Sequence, residues 1–231
     1  TGATIMVGID DLPLSIRYYR QQLQWLGGMG IIVLAVAVLP MLGIGGMQLY
    51  KAEIAGPMKN SKLTARITET AKALWFIYLG LTLLCAVAYW VAGMGLFDAI
   101  CHAFSTVAIG GFSTHDASLG WFDSSAIEAV AVLFMFLAGI NFSLHFFALR
   151  GFSLRPYFFD AEFRAYLFIL SIVVFVVVCY LYISGIASSW PQAVRVGVFQ
   201  TVSIGTTTGF TTASYHEWPG ALPILLLLLA F

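Results

Sequence analysis

The chain has 231 residues, 60% of them hydrophobic and 10% charged, with a mean hydropathy of +0.91, whereas a soluble domain averages roughly 45–50% apolar and about 25% charged residues. That composition places it in a membrane, with lipid as its surroundings. Eleven basic and eleven acidic residues cancel, leaving no basic stripe to neutralise phosphates, which argues against a nucleic-acid partner; Cys85, Cys101 and Cys179 stand singly, which argues against a disulfide framework or a zinc site.

Charge-free runs at 21–50, 73–97, 129–149 and 165–194 can each supply a helix across the hydrocarbon core, which needs about 20 mostly apolar residues. A fifth begins near Pro219. In the first, Gly27-Gly28-Met29-Gly30 offers small residues for close packing against a neighbouring segment. Lys51, Lys59, Lys62, Arg66 and Lys72 then fall in one connecting loop, and Arg150, Arg155 and Arg164 lie in or beside another. The positive-inside rule puts both loops in the cytoplasm. Two loops on one side need an even number of crossings between them, which 73–97 and 129–149 supply, so the apolar stretch 98–121 does not cross. It lies flat on the outer surface as an amphipathic helix, or it dips into the membrane and returns. The segment from Phe97 to Thr114 is too apolar for the first arrangement. Non-helical backbone at membrane depth survives only where it is buried in protein or lines a water-filled cavity, so a short helix, a glycine turn and an extended exit imply a pore lining.

Further along, Asn141 and His145 stand four apart on one predicted helix face with Ser143 between them, and are read as helix-to-helix hydrogen-bonding groups, with pore lining as the alternative. Ser188-Ser189-Trp190-Pro191 marks a helix start, so the spanning helix in 165–194 ends near Gly185 and a short helix follows. Arg195 opens that helix, and His216 and Glu217 flank its outer mouth; interfacial solvation or a local ion pair is expected for them.

An internal repeat favours the dip. The segment Phe104-Ser105-Thr106-Val107-Ala108-Ile109-Gly110-Gly111-Phe112-Ser113-Thr114 and the later Phe199-Gln200-Thr201-Val202-Ser203-Ile204-Gly205-Thr206-Thr207-Thr208-Gly209-Phe210-Thr211-Thr212 share an approach and a Gly-Phe-Ser/Thr ending, and the opening Thr1-Gly2-Ala3-Thr4 is a third copy of that ending. Glycine therefore recurs at a period of about one hundred residues, roomy enough for a module of helix, re-entrant loop and helix.

These segments, together with Gln24-Trp25-Leu26-Gly27-Gly28-Met29-Gly30-Ile31, give the chain a family resemblance. It resembles the Trk/Ktr/HKT superfamily of potassium transporters, and within it the TrkH-type membrane subunits of bacterial Trk potassium uptake systems. The resemblance implies an all-α integral membrane fold of repeated helix, re-entrant pore loop and helix modules around a cation pore, in a multi-pass protein of the cell inner membrane. It also implies potassium as the transported ion, a homodimer and a soluble nucleotide-binding Trk regulatory subunit on the cytoplasmic side. On this reading 1–50 holds the end of the first filter segment and the second helix of module 1, 51–72 a cytoplasmic loop, 73–149 module 2, 150–164 a second cytoplasmic loop and 165–231 a truncated module 3. The family has four modules, so the chain is expected to be a piece of a longer polypeptide.

The residue types suit a cation. Taking a bare ion into a low-dielectric interior costs tens of kcal/mol in a Born estimate, so its water shell must be replaced by oxygens, and backbone carbonyls can do this. Thr1, Gly2, Ala108, Ile109, Gly110, Gly111, Thr206, Thr207, Thr208 and Gly209 are the expected filter residues, with Gly2, Gly111 and Gly209 supplying the dihedrals that turn carbonyls inward. Gly110 and Gly205 align with Thr208 and Val107, and are expected to accept a side chain. Asp98 and Ser189 are read as N-caps of short helices whose C-terminal ends, each carrying roughly half a negative charge, point at the filter. No catalytic residues and no cofactor are expected, since His102, His115, Asp116, His145 and His216 form no motif with triad or ligand spacing. An alternating-access carrier is the rival reading; inverted repeats would move its basic loops to opposite sides, whereas here they share one.

Overall fold

The computed structural model describes residues 6–30 and 67–230. Thr1, Gly2, the run 31–50 and the loop residues Lys51, Lys59, Lys62 and Arg66 lie outside the described residues. Within them every regular element is helical: α1 (Leu14–Gly28), α2 (Ile67–Val91), α3 (Leu96–Val107), α4 (Ser125–Ala138), α5 (Phe142–Gly151), α6 (Arg155–Phe159), α7 (Ala161–Ile183), α8 (Trp190–Gly205) and α9 (Leu222–Leu229), with short 3-10 turns at Ile9–Asp11, Ser118–Phe122 and Tyr215–Glu217.

Two helices are long and apolar enough to cross a bilayer, over Lys72–Val91 and Ala161–Ile183. At 1.5 Å per residue they span about 30 and 35 Å. Both turn large apolar side chains outward, among them Leu83, Leu84, Phe168, Phe175 and Ile183, a surface that fits lipid and not water. Asp160 starts α7 by accepting the Phe163 N–H at 2.7 Å. The apolar α3 stops after 12 residues, too short to cross, and leads into the first of the two repeated loops.

Three boundaries depart from expectation, each because the absence of charge marks the lipid-facing stretch and not the helix. Helix α1 begins at Leu14, so Arg17 and Arg20 are helical, and α2 begins at Ile67, so Lys72 lies in a helix and not in a loop. The run 129–149 is not one helix. It breaks after Ala138 and α5 leaves at 91° to α4. The Asn141 side chain caps α5, accepting from Ser143 N at 3.0 Å, so Asn141 and His145 do not share a helix face. His145 bridges the break instead: Nε2 donates to Leu137 O at 3.0 Å, which leaves Nδ1 to accept the Tyr157 hydroxyl at 2.7 Å.

The larger core joins the two short helices to their surroundings, with Tyr78 and Tyr89 from α2, Ala103 from α3, Met135 from α4 and Phe199 from α8 packed around Phe210. Phe199 and Phe210 are fully buried, each contributing about 1.5–3 kcal/mol. A second cluster of Val177, Leu181, Ala193, Trp218 and Leu226 binds α7, α8 and α9.

Candidate functional site

Helices α3 and α8 are followed by loops whose first two turn bonds repeat one another, while the third shifts by one residue, from Gly110 N on Ser105 O at 2.8 Å to Gly209 N on Ser203 O at 3.1 Å. After α3, Ala108 N donates to Phe104 O at 3.1 Å and Ile109 N to Thr106 O at 3.1 Å; after α8, Thr206 N donates to Val202 O at 2.9 Å and Thr207 N to Ile204 O at 2.8 Å. Ile109 and Thr207 both take left-handed dihedrals, with φ 53° and 61°, and two residues later so do Gly111 and Gly209, with φ 71° and 90°. A β-branched residue at positive φ is costly, on the order of 1–3 kcal/mol, and such strain gathers at functional sites. The equivalence therefore runs ungapped from the glycine, Ile109 with Thr207. The shared letters Thr-Val-x-Ile-Gly, which pair Ile109 with Ile204, mark no structural equivalence.

The two loops meet. A Cβ placed on Gly111 would overlap the Thr208 carbonyl and lie 3.1 Å from the Gly209 carbonyl carbon, so backbone passes against backbone. Thr207 and Gly209 are exposed, Ala108 and Ile109 half-buried, and Gly110, Gly111, Thr206 and Thr208 buried. Neither short helix has a basic residue in its last turn, so the partial negative charge of each C-terminus stays uncompensated beside its loop.

Comparison with known proteins places this arrangement. The family model for TrkH, described as a cation transport protein, matches residues 1–231. The chain belongs to the TrkH family. It is 58% identical over its whole length to the Trk system potassium uptake protein TrkH of Vibrio parahaemolyticus, covering 48% of that protein. It is 54% identical to the protein of the same name from Escherichia coli, again covering 48%. The crystal structure of the potassium transporter TrkH from Vibrio parahaemolyticus superposes with a TM-score of 0.83 at 53% identity, over 99% of this chain and 46% of that one. The chain thus spans about half the length of the curated relatives it matches, and it shares with them an all-α membrane fold.

What holds the loop of α3 in this TrkH-family chain escaped the sequence analysis. Helix α1 runs along its exit. Gly28 lies where a Cβ would come 3.1 Å from the Ala108 Cβ and 2.6 Å from the Tyr78 hydroxyl, so of the glycine cluster Gly28 does the close packing, while Gly27 and Gly30 face open space. Gln24 Nε2 donates to Gly110 O at 2.8 Å, and its Oε1 accepts from Ser105 Oγ at 2.6 Å and Phe112 N at 3.3 Å. Arg20 places its guanidinium 4.9 Å from the centre of the Phe112 ring and donates to Ser113 O at 3.5 Å. Arg17 reaches Thr114 O at 3.4 Å. The signal was present as polar residues at helical spacing ahead of the apolar run, Arg17, Arg20, Gln21 and Gln24.

The proposed caps need correction. Gly95, not Asp98, is the N-cap of α3; Asp98 sits inside the first turn, where its Oδ1 accepts the Thr114 hydroxyl at 2.7 Å and its charge suits the helix N-terminus. Ser189 occupies the N-cap of α8 without a capping bond from its side chain. Gln192 reaches back instead to Ser188 N at 3.0 Å and Ser188 Oγ at 2.7 Å. At Gly110, expected to accept a side chain, a Cβ would fall on the Gln24 amide, which would have to leave its bonds to make room.

Titratable groups lie outside the loops. Arg195 forms an ion pair, with Nε and Nη2 on the Glu128 carboxylate at 2.8 and 2.9 Å and Nη2 also 2.8 Å from Asp123; it ties α8 to α4. His216 and Glu217 lie 3.7 Å apart and exposed. On the other exit, His115 stacks on Trp121 with ring centres 3.8 Å apart and bonds Asp10. The Asp116 backbone N–H and the His115 ring hold the Asp10 carboxyl below its ordinary value. His102 Nδ1 donates to Asp98 O at 2.8 Å and Nε2 accepts from Ser113 Oγ at 2.9 Å, fixing the neutral ring behind the loop.

Proposed function

We propose that the chain forms part of the wall of a potassium-conducting path across the cell inner membrane, and that the loops after α3 and α8 are two arms of its selectivity filter. The observation that carries this reading is the pair of similar backbone turns meeting at Gly111 and Gly209, each with a β-branched residue and, two residues on, a glycine at positive φ. Such a backbone presents carbonyls where right-handed or extended chain would not. Thr1, Gly2, Ala108, Ile109, Gly111, Thr206, Thr207, Thr208 and Gly209 then replace water around the ion. Gly110, whose carbonyl already accepts from Gln24, holds its arm in place. Potassium is the cargo, and the conduction needs no catalytic residue and no cofactor.

The names of the relatives support potassium uptake as the activity and a multi-component Trk system as its setting. In that setting the multi-pass chain works as a homodimer with a soluble nucleotide-binding regulatory subunit docked on the cytoplasmic side, where the basic loops 51–72 and 150–164 lie. The modules follow the divisions at 50, 72, 149 and 164.

The test is flux. In a chain extended to the length of its relatives, Gly111→Ala and Gly209→Ser should each cut the potassium-to-sodium flux ratio in vesicles, or abolish potassium-dependent growth of an uptake-deficient strain, with inserted protein little changed. Unchanged ratios in both variants would remove the loops from the selective element.

A further inference from the structure

We propose that Gln24 is a positioning residue for ion selectivity: sent from a helix of one module, its carboxamide sets the carbonyl register of the next module's filter arm. This rests on reading the loop after α3 as part of a filter. The orientation of the amide is forced, because Gly110 O can only accept and Phe112 N–H can only donate, so nitrogen faces the first and oxygen the second. One planar group thus pins both sides of Gly111, whose φ of 71° must be held against relaxation. Ser105 Oγ completes the set from the last turns of α3.

Gln24 can bear on the arm because its helix is itself fixed. Tyr78 of α2 donates to Trp25 O at 2.9 Å, and Trp25 Nε1 donates to Thr82 Oγ1 at 3.1 Å. Trp25 also stacks on Phe104 of α3 with ring centres 5.0 Å apart. A first-rank group supported by a rigid second layer holds geometry more closely than one on a mobile loop. The same contact explains Gly110, which has no positive φ to demand glycine: the missing side chain makes room for the Gln24 amide.

The experiment compares the potassium-to-sodium flux ratio and the amount of inserted protein, in vesicles, for Gln24→Met, Gln24→Glu, Gln24→Ala, Ser105→Ala, Gly110→Ala and the double variant Gln24→Ala with Gly110→Ala in the extended chain, with Gly27→Ala, which meets nothing within 4 Å, as the control that changes neither. Gln24→Met keeps the side-chain length without the amide and should lower the ratio about tenfold, the size a lost buried hydrogen bond gives. Gln24→Glu keeps the acceptor but turns a carboxylate on Gly110 O, and should lower it at least as far. Gly110→Ala should lower it too, and Gln24→Ala with Gly110→Ala should be no worse than Gln24→Ala alone, because both act through one contact. An unchanged ratio in Gln24→Met, or additive losses in the double variant, overturns the proposal. If Gln24→Met fails to insert, Ser105→Ala decides: a smaller loss of ratio supports the role and an unchanged ratio overturns it. Silent Gly111→Ala and Gly209→Ser in the same assay would instead sink the filter reading itself, whereas a damaging Gly111→Ala beside a silent Gln24→Met sinks only this inference.

Discussion

The arm after α3 and the arm after α8 share a backbone and differ in what fastens it. In the second, the turn itself is fastened internally: Thr206 Oγ1 donates to Val202 O at 2.8 Å, so Thr208 Oγ1 must be the donor in its 2.7 Å bond to Thr206 Oγ1, and Ser203 Oγ donates to Phe210 O at 2.6 Å; only beyond the turn does Thr211 bond the neighbouring module, its N–H donating to Ser118 Oγ at 3.2 Å and its carbonyl accepting from Gly120 N at 3.1 Å. In the first, Gly110 stands where Thr208 stands and brings no hydroxyl, while Ser105, the counterpart of Ser203, turns its hydroxyl to Gln24. The repeat therefore conserves a path for the chain, and each module solves the problem of holding it with whatever neighbours it has. The turn after α3 is therefore sensitive to α1, and the turn after α8 to its own hydroxyls.

The largest effect expected is at the shared feature. Gly111→Ala adds backbone strain of about 1–3 kcal/mol and also drives a methyl into the Thr208 carbonyl, so it should damage both arms and abolish potassium-dependent growth. Gly209→Ser should be the milder of the two if strain at φ 90° is its main effect. A reversed order, read from flux ratios, would mean that the arms do not meet as described.

Next comes the joint between the arms' supports. Arg195→Ala leaves the buried Glu128 carboxylate without its bidentate partner, and the unfolding midpoint in detergent should fall by the equivalent of about 2–3 kcal/mol, below the full value of a broken buried pair because Arg195 is partly solvated. Arg195→Lys should recover only part of this, since an ammonium cannot make the fork. Wild-type stability in Arg195→Lys would show that charge alone matters there, and equal losses in the two variants that only the fork does.

Thr208→Val tests the internal fastening. It removes one hydrogen bond at nearly constant shape, worth about 1 kcal/mol, and should reduce the flux ratio severalfold without touching the first arm. Gly205→Ala should be nearly silent, because the atoms a Cβ would meet are the movable tips of Leu229 and Leu170. A strong effect of Gly205→Ala would instead assign glycine at the end of α8 a role in the path.

The smallest effect is a pH slope on the first exit. The folded Asp10 carboxyl titrates below its ordinary value, so its bonds to the Asp116 N–H and His115 contribute stability at pH above the ordinary carboxylate range, and that contribution is lost as pH falls through the lowered folded value. Asp10→Asn should flatten the acid side of a thermal-unfolding profile. An unchanged slope would leave the Asp10 contact without energetic weight.

Much of this was legible in one sequence because the bilayer is a demanding solvent. Two of the membrane helices, the short helices α3 and α8, and the glycines at positions 111 and 209 follow from apolar length, basic-loop parity and a recurring Gly-Phe-Ser/Thr. Other features were hidden because their cause is contact. Gly110 reads as a dispensable neighbour of Gly111 until Gln24, far away in sequence, is brought against it. The run 129–149 reads as one helix because Gly139 and Asn141 interrupt neither its apolarity nor its lack of charge, yet Asn141 can cap a new helix in another direction.

By itself, then, the sequence determined the solvent, the helical class and the places where the backbone must turn, since hydrophobic length and glycine act locally and can be read residue by residue. Only the tertiary structure decided that the two loops meet, Gly111 against the Thr208 carbonyl, and the identity of the groups that hold each one. Those depend on which donor meets which carbonyl across long stretches of chain, and hydrogen-bond partners at that separation leave no periodic mark in a single sequence.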